Sequence, residues 1–205
     1  MLVDKILGGA LVTGRISSMF RAREFRLQRD LDNHAKFLHM PRKKILIAGS
    51  SGLIGTQLVA FLDTGDHEVW RLVRRESDPN KNEITWNPSK GEIDSKELEG
   101  FDVVIHLGGV GIGDKRWSKK RKAAIRDSRV NSSQLLSKTL ANLDNKPDLF
   151  MLASAIGFYG NRGDEELDES SSRGKQGYFL TDVCSEWENS ADPAKEVGIR
   201  TISLR

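Results

Sequence analysis

Three glycines, spaced three residues apart, follow a short apolar run early in the chain. The stretch reads IAGSSGLIG, and its glycines are Gly49, Gly52 and Gly55. Between a strand and a helix, glycines at this spacing permit a tight turn, the close approach of a phosphate and close packing of helix on strand. A helix N-terminus has free N–H groups and a partial positive charge, so a pyrophosphate can bind there when no side chain intervenes. The stretch therefore predicts dinucleotide binding.

The motif is specific only in its context. GxxGxxG differs from the GxGxxG of ordinary dehydrogenases, and no Gly-Lys-Ser/Thr follows it, which disfavours NTP hydrolysis. The alternative is a glycine-rich turn without a ligand. The apolar strand before the motif, the helical pattern after it and the return to a strand at Val69 favour a bound dinucleotide.

Two arginines follow the second predicted strand, where the sequence reads LVRR. An acidic residue at this place would bond the ribose hydroxyls and favour NAD. Here Arg74 and Arg75 precede the first acid, Glu76. Guanidinium groups bind phosphate through paired, charge-assisted hydrogen bonds, which suits the 2′-phosphate of NADP. The alternative is that both arginines are solvated, but the charge favours NADP over NAD.

From residue 44 onward the pattern alternates between strands and helices, which predicts an α/β fold of the Rossmann type with a doubly wound parallel sheet. The predicted strands are 45–48, 68–73, 84–86, 101–107, 148–153 and 199–204, and the predicted helices are 53–63, 118–143 and 179–197. Before this segment, residues 16–38 show apolar side chains at helical spacing and predict an N-terminal amphipathic helix. We therefore expect a tail helix with a linker over 1–40 and a dinucleotide-binding domain over 44–205.

Composition narrows the class of protein further. The chain has 205 residues and a net charge of +3, with ten Lys+Arg and four Asp+Glu in residues 1–44. No aromatic-rich recognition motif accompanies this charge, so we expect no nucleic-acid partner. No apolar run approaches the roughly 20 residues of a membrane-spanning helix. The single cysteine, Cys184, and the spacing of the four histidines predict no disulfide and no metal site, as in a cytoplasmic protein.

Beyond the glycine loop, the chain contains LVRR, VVIHLGG, SRVNSS, SAIGFYG, HLGGVGIGDKRWS and FLTDVCSEWE. With these motifs, residues 44–205 resemble the short-chain dehydrogenase/reductase superfamily, on its NAD(P)-dependent epimerase/dehydratase side. The resemblance extends to the sugar-nucleotide-epimerase-like "epimerase family protein" branch. Residues 8–37 look like the last helix of a polyketide-cyclase-like (START-like) domain. We therefore expect the chain to be a fragment that lacks the C-terminal substrate-binding part.

The resemblance implies a role for individual residues. The pyrophosphate would be held by Gly49, Ser51, Gly52, Leu53, Ile54 and Gly55. The 2′-phosphate would meet Arg74 and Arg75. The residues Leu107, Gly108 and Gly109 would pass beneath the adenine-side ribose. Ser154 would bond a substrate oxygen. For each of these, the alternative is a packing role at a strand end.

The chain departs from the superfamily at its proton-transfer residues. The superfamily usually pairs a tyrosine with a lysine four residues later, which lowers the tyrosine pKa. This chain has two tyrosines: Tyr159 is followed at that spacing by Gly163, and Tyr178 by Asp182. Lys175 precedes Tyr178 by three residues. Both tyrosines remain candidate proton-transfer groups, although Tyr-x-x-x-Lys is absent.

Two functions follow from these observations. The first is an NADP-dependent oxidoreductase or epimerase-like enzyme that acts on an unidentified small molecule. The second is a non-catalytic module that holds NADP(H) for sensing, structure or partner docking. The missing Tyr-x-x-x-Lys separates the two and favours the second. We lean to an enzyme in the intact protein, with no membrane and no nucleic-acid partner.

Overall fold

The computed structural model describes the backbone of residues 2–205 and the side chains of residues 12–205. The chain divides into two units, the first ending at Pro41 and the second spanning Arg42–Arg205. No helix in this described part combines the length and the apolar character that crossing a membrane requires.

The first unit is a single helix, α1 (Leu2–Lys36), followed by a turn. It begins earlier than the predicted 16–38, because the two glycines at residues 8 and 9 do not interrupt it. Its apolar stripe, which includes Ile16, Phe20, Leu27 and Leu31, is exposed. The N-terminal amphipathic helix of the sequence prediction is therefore present.

The second unit is built on one seven-stranded sheet. In sheet order the strands are β4 (Glu92–Ile93), β3 (Glu83–Asn87), β2 (Glu68–Val73), β1 (Lys44–Ala48), β5 (Val103–His106), β6 (Leu149–Ala153) and β7 (Arg200–Leu204). All neighbouring pairs are parallel except β3 with β4. The order of the six parallel strands is that of the doubly wound dinucleotide-binding fold, so the predicted fold class is confirmed.

Four helices connect the strands: α2 (Leu53–Thr64), α3 (Lys119–Ala141), α4 (Phe179–Asn189) and α5 (Asp192–Glu196). The sequence predicted one helix over 179–197, but the structure has two. The chain turns between them, and a proline lies in the first turn of α5, where its missing N–H and fixed φ are tolerated. The two-residue strand β4 was not predicted, because so short a run has no readable alternation.

The central strand sends alternate side chains to the two faces of the sheet, as strand geometry requires. Ile45 and Ile47 pack with the α2 residue Val59 in one apolar cluster. Leu46 and Ala48 pack on the opposite face in a larger cluster that includes Leu136 of α3. Both faces of the sheet are therefore buried, and the carboxyl ends of the strands are left to carry loops.

His106, at the end of β5, is a buried polar residue with both ring nitrogens hydrogen-bonded. The Gly108 amide donates to Nδ1 at 3.0 Å, so Nε2 carries the proton and donates to Ser132 Oγ at 2.8 Å. Burial lowers the pKa of His106 to about 4. The neutral ring thus ties the start of the following loop to α3.

Acid is expected to weaken this fold through His106 before carboxylates titrate. The unfolded chain binds a proton at this side chain near pH 6.5, whereas the folded chain does so only near 4. Stability is therefore full above pH 6.5 and falls as the pH decreases toward 4, by about 3 kcal/mol in all at 1.36 kcal/mol per pKa unit. Urea unfolding of the wild type and of His106→Asn between pH 7 and about 5 measures this slope. The Asn variant should show a flatter profile, and an identical slope would contradict the assignment.

Candidate functional site

The glycine loop joins β1 to α2, and two of its glycines are required by the protein's own packing. Gly49 has φ +85°, and a Cβ there would lie 2.7 Å from the Gly108 amide nitrogen. A Cβ on Gly55 would lie 2.2 Å from the carbonyl oxygen of Gly49. Real Cβ atoms do not approach so closely. The tight turn expected at Gly49 and the close helix packing expected at Gly55 are thus features of the structure.

The packing of the protein does not require a glycine at position 52 as strictly as it does at positions 49 and 55. A Cβ there would meet only the Gly49 carbonyl oxygen, at 3.3 Å, and the φ of −77° suits any residue. Gly52 is the N-cap of α2, and no side chain caps this helix end. The neighbouring Ser51, Leu53 and Ile54 are exposed, Leu53 to 89%. The start of α2 is therefore exposed, and its first N–H groups have no side-chain cap.

The two arginines after β2 differ in what they contact. Both guanidinium nitrogens of Arg75 donate to the Glu83 carboxylate at 2.7 Å, and that carboxylate is 3% exposed. The hydrogen bonds from Arg75 lower the pKa of Glu83 to about 2. Arg74 is exposed, and within residues 12–205 it makes no hydrogen bond or ion pair. The side chain of Arg74 is therefore available for a ligand phosphate, whereas that of Arg75 is engaged by the protein.

The loop after β5 lies against the glycine loop. The Leu107 amide donates to the Ala48 carbonyl at 2.8 Å, and Gly108 follows at the contact with Gly49. A Cβ on Gly109 would lie 3.1 Å from the guanidinium carbon of Arg129. The three residues predicted to pass beneath the ribose thus line the same edge of the sheet as the start of α2.

Arg129, on α3, is a candidate site residue that the sequence analysis missed. It is part of the SRVNSS motif, but its helical position alone indicated no role. Its Nη1 donates to the carbonyls of Val110 and Ile125 at 3.0 Å. Burial lowers the pKa of this guanidinium. Within residues 12–205 no carboxylate pairs with it, so a half-buried cation lies under the Gly109 loop without a counter-ion.

Ser154 and Tyr159 are linked to each other through hydrogen bonds with two further side chains of the protein. Ser154 Oγ donates to Glu188 at 2.6 Å, and Arg205 forms a double hydrogen bond with the same carboxylate at 2.8 and 2.9 Å. Arg205 also donates to the Tyr159 hydroxyl at 3.2 Å and stacks on Phe158 at 3.6 Å. We call Ser154, Tyr159, Glu188 and Arg205 the clasp. It ties β6, β7 and α4 together.

Tyr178 lies outside the clasp. It is the N-cap of α4, and its side chain is 62% exposed. The residue four positions later, Asp182, accepts hydrogen bonds from Arg173 and from the Gly177 amide. Lys175 is exposed on the preceding loop.

Helix α4 carries no cationic side chain. Its sequence, FLTDVCSEWEN, contains no lysine or arginine. Cys184 is buried, and that burial raises the pKa of its thiol. In the part of the chain with described side chains, no group of three His, Cys, Asp or Glu residues is arranged to hold a metal ion. The cation nearest to the Gly109 loop therefore comes from α3, as Arg129.

Comparison with known proteins agrees with this geometry. The model of the NAD dependent epimerase/dehydratase family matches residues 45–205. An epimerase family protein of Mycobacterium bovis is 42% identical over 166 residues, which are 81% of this chain and 54% of that protein. The chain thus spans about half the length of the curated relatives it matches.

Two solved structures of epimerase-type proteins are also similar to this chain. The nucleoside-diphosphate sugar epimerase from Corynebacterium glutamicum is 37% identical, with a TM-score of 0.77 over 91% of this chain and 39% of that chain. Human epimerase family protein SDR39U1, solved with NADPH, is 25% identical, with a TM-score of 0.65 over 78% of this chain and 52% of that one. With the family model, the relatives and the parallel sheet in agreement, the chain belongs to the NAD dependent epimerase/dehydratase family.

Proposed function

We propose that the second unit binds NADP and forms the cofactor-binding half of an epimerase- or oxidoreductase-type enzyme that acts on a small molecule. The single observation that carries this proposal is the open space at Gly52. The protein itself uses the missing side chains at Gly49 and Gly55, whereas a Cβ on Gly52 would meet one protein atom, the Gly49 carbonyl oxygen at 3.3 Å, and residues 51–54 are exposed. A pyrophosphate fits there, at the free N–H groups of a helix start.

The residues of the chain would divide the dinucleotide between them. The amides at the start of α2 would hold the pyrophosphate, and the exposed guanidinium of Arg74 would pair with the 2′-phosphate. Leu107, Gly108 and Gly109 would lie beneath the adenine-side ribose. Arg129 would supply positive charge from below, because it has no carboxylate partner among the described side chains. The bound dinucleotide would supply hydride transfer.

A second candidate is a cofactor-binding module without turnover. It is favoured by α4, which has no basic residue, and by the clasp, in which Ser154 and Tyr159 are already hydrogen-bonded to Glu188 and Arg205. An enzyme would need a proton donor near the bound cofactor. Of the two tyrosines, Tyr178 is the one outside the clasp, and its side chain is exposed. In the full-length protein, NADPH consumption with a panel of carbonyl compounds, lost on Tyr178→Phe, would support the enzyme. Tight binding with no consumption would support the module.

Substitutions of Gly52 and Gly55 are expected to affect different properties. Gly52→Asp places a good N-cap residue on α2, and its Cβ would lie 3.3 Å from the Gly49 carbonyl oxygen, so the melting temperature should fall less than in Gly55→Ala. Its carboxylate would repel the phosphates, so NADPH affinity should fall at least about tenfold, or 1.4 kcal/mol. Gly55→Ala forces a methyl group onto the Gly49 carbonyl and should lower the melting temperature.

Nicotinamide fluorescence titration and thermal unfolding separate these effects. Gly113→Ala is the matched control, because a Cβ there meets no atom within 4 Å. Full NADPH binding by a folded Gly52→Asp protein would refute the assignment of the pyrophosphate to this loop.

Substitutions of Arg74 and Arg75 should affect different properties, namely nucleotide affinity for Arg74 and stability for Arg75. Arg74→Ala should weaken NADPH by about ten- to a hundredfold, the value of a hydrogen bond to a charged group of about 1.5–3 kcal/mol, and leave NADH unchanged. Arg75→Ala should lower the melting temperature, since it leaves the buried Glu83 carboxylate without its cation. Isothermal titration with both nucleotides tests this, with Lys90→Ala as an exposed-cation control. Equal losses of NADPH and NADH on Arg74→Ala would rule out the 2′-phosphate contact.

Arg129 lies under the Gly109 loop rather than at the end of β2, so its loss should not discriminate between nucleotides. Arg129→Met is expected to weaken NADPH and NADH by the same factor, at least about tenfold on the scale of a charge-assisted hydrogen bond. Arg129→Lys should recover part of the affinity, because it restores the charge without the paired geometry. A change confined to NADPH would place this cation at the 2′-phosphate instead.

A further inference from the structure

The charge of the second unit is concentrated in one segment. Residues 114–127 contain seven Lys+Arg and two Asp, a net charge of +5. The other residues of 45–205 contain 15 Lys+Arg and 23 Asp+Glu, a net charge of −8. A strongly positive stretch within an otherwise negative unit creates a local field that attracts anions. We call residues 115–122 the basic rim.

One loop joins the basic rim to the proposed cofactor site. The rim follows the loop that leaves the carboxyl end of β5, and that loop begins with the contact between Gly108 and Gly49. The rim ends in the first turn of α3. Two hydrogen bonds anchor the loop: the Val110 amide donates to Ser128 Oγ of α3 at 3.0 Å, and Trp117 Nε1 donates within the loop to the Ile112 carbonyl at 2.8 Å. The cations are therefore carried on an anchored segment.

Four of the six cations have neither a carboxylate partner nor a ring contact among the described side chains. Arg121 is paired with Asp114, and Lys122 lies 5.1 Å from the ring centre of Phe179. The other four, by contrast, are exposed and make no ion pair with any described side chain: Lys115, Arg116, Lys119 and Lys120. Like charges so close together repel one another, and a bound anion would relieve that repulsion.

An aromatic side chain stands among these cations. Trp117 is 39% exposed, and its ring meets Phe179 of α4 edge to face, with centroids 5.5 Å apart. The indole is held from both sides, by Phe179 and by its hydrogen bond to Ile112. A fixed, half-exposed ring between unpaired cations can contact the uncharged part of a ligand whose charge the cations hold.

We propose that the basic rim docks the negative charge of the second substrate, a small molecule with a phosphate or carboxylate group, with its uncharged part against Trp117. This inference rests on the proposed function, in which a dinucleotide occupies the neighbouring site. A nucleic acid is a poorer occupant, because a long polyanion would also meet the rest of the unit, at −8. The rim thus restricts the substrate to compact anions.

The test uses the 205-residue chain saturated with NADPH, so that the dinucleotide site is blocked. Inorganic pyrophosphate and citrate serve as phosphate and carboxylate probes, and the reporter is the Trp117 indole N–H signal, assigned with Trp117→Phe. We expect a saturable shift of this signal. The variant Lys115→Gln/Arg116→Gln/Lys119→Gln/Lys120→Gln should bind the probes at least about tenfold more weakly, with a smaller loss of NADPH affinity and with a melting temperature that holds or rises. The control is Lys90→Gln/Lys96→Gln, which removes exposed cations elsewhere.

The outcomes separate the two proposals. No NADPH binding by the wild type would overturn the proposed function, whereas a probe-induced shift lost in the quadruple variant would still support an anion site at the rim. Equal probe binding by wild type and quadruple variant, or no shift of Trp117, would overturn the rim proposal. Binding of a single-stranded oligonucleotide to the rim more tightly than pyrophosphate would also overturn it, in favour of a nucleic-acid partner.

Discussion

The close approach of Gly49 to Gly108 is the constraint on which the carboxyl edge of the sheet depends. With 2.7 Å between the Gly108 nitrogen and a Cβ built on Gly49, any side chain there would separate the two loops. The contact places the start of α2 beside the loop after β5, and His106 secures that loop from below through the Gly108 amide. This one contact between backbones therefore brings the start of α2 and the loop that leads to the basic rim to the same edge of the sheet.

The dinucleotide half of the site is more complete than the proton-transfer half. The start of α2 is uncapped, and Arg74 is free of partners among the described side chains. In contrast, the clasp engages Ser154 and Tyr159 with Glu188 and Arg205. Hydrogen bonding to Glu188 raises the pKa of Arg205, so this guanidinium stays charged and keeps the clasp closed. The proposed cofactor would thus meet groups that are already exposed, whereas proton transfer by Ser154 or Tyr159 would need the clasp to open.

The parts of this architecture that were predictable from the sequence are those with a local signal. The alternation of strands and helices identified the sheet, and the glycine spacing located the start of α2. Arg74 and Arg75 could not be told apart, because the difference lies in Glu83, on the neighbouring strand. The hydrogen bond of Ser154 could not be predicted either, since Glu188 is 34 residues away and becomes a neighbour only when α4 packs against the turn that follows β6. Arg129 gave no signal because a cation on a helix is usually solvated, and only the Gly109 loop above it makes its position unusual.

The two edges of the sheet differ in a way that bears on assembly. At one edge, β4 has only two residues, so it offers little backbone for a further strand to pair with. At the other edge, β7 has five residues and pairs with β6 alone among the described strands. Any strand that extends this sheet, from the same polypeptide or from another copy, would therefore add at β7. It would then lie beside Arg205, so that growth of the sheet and the state of the clasp would be coupled.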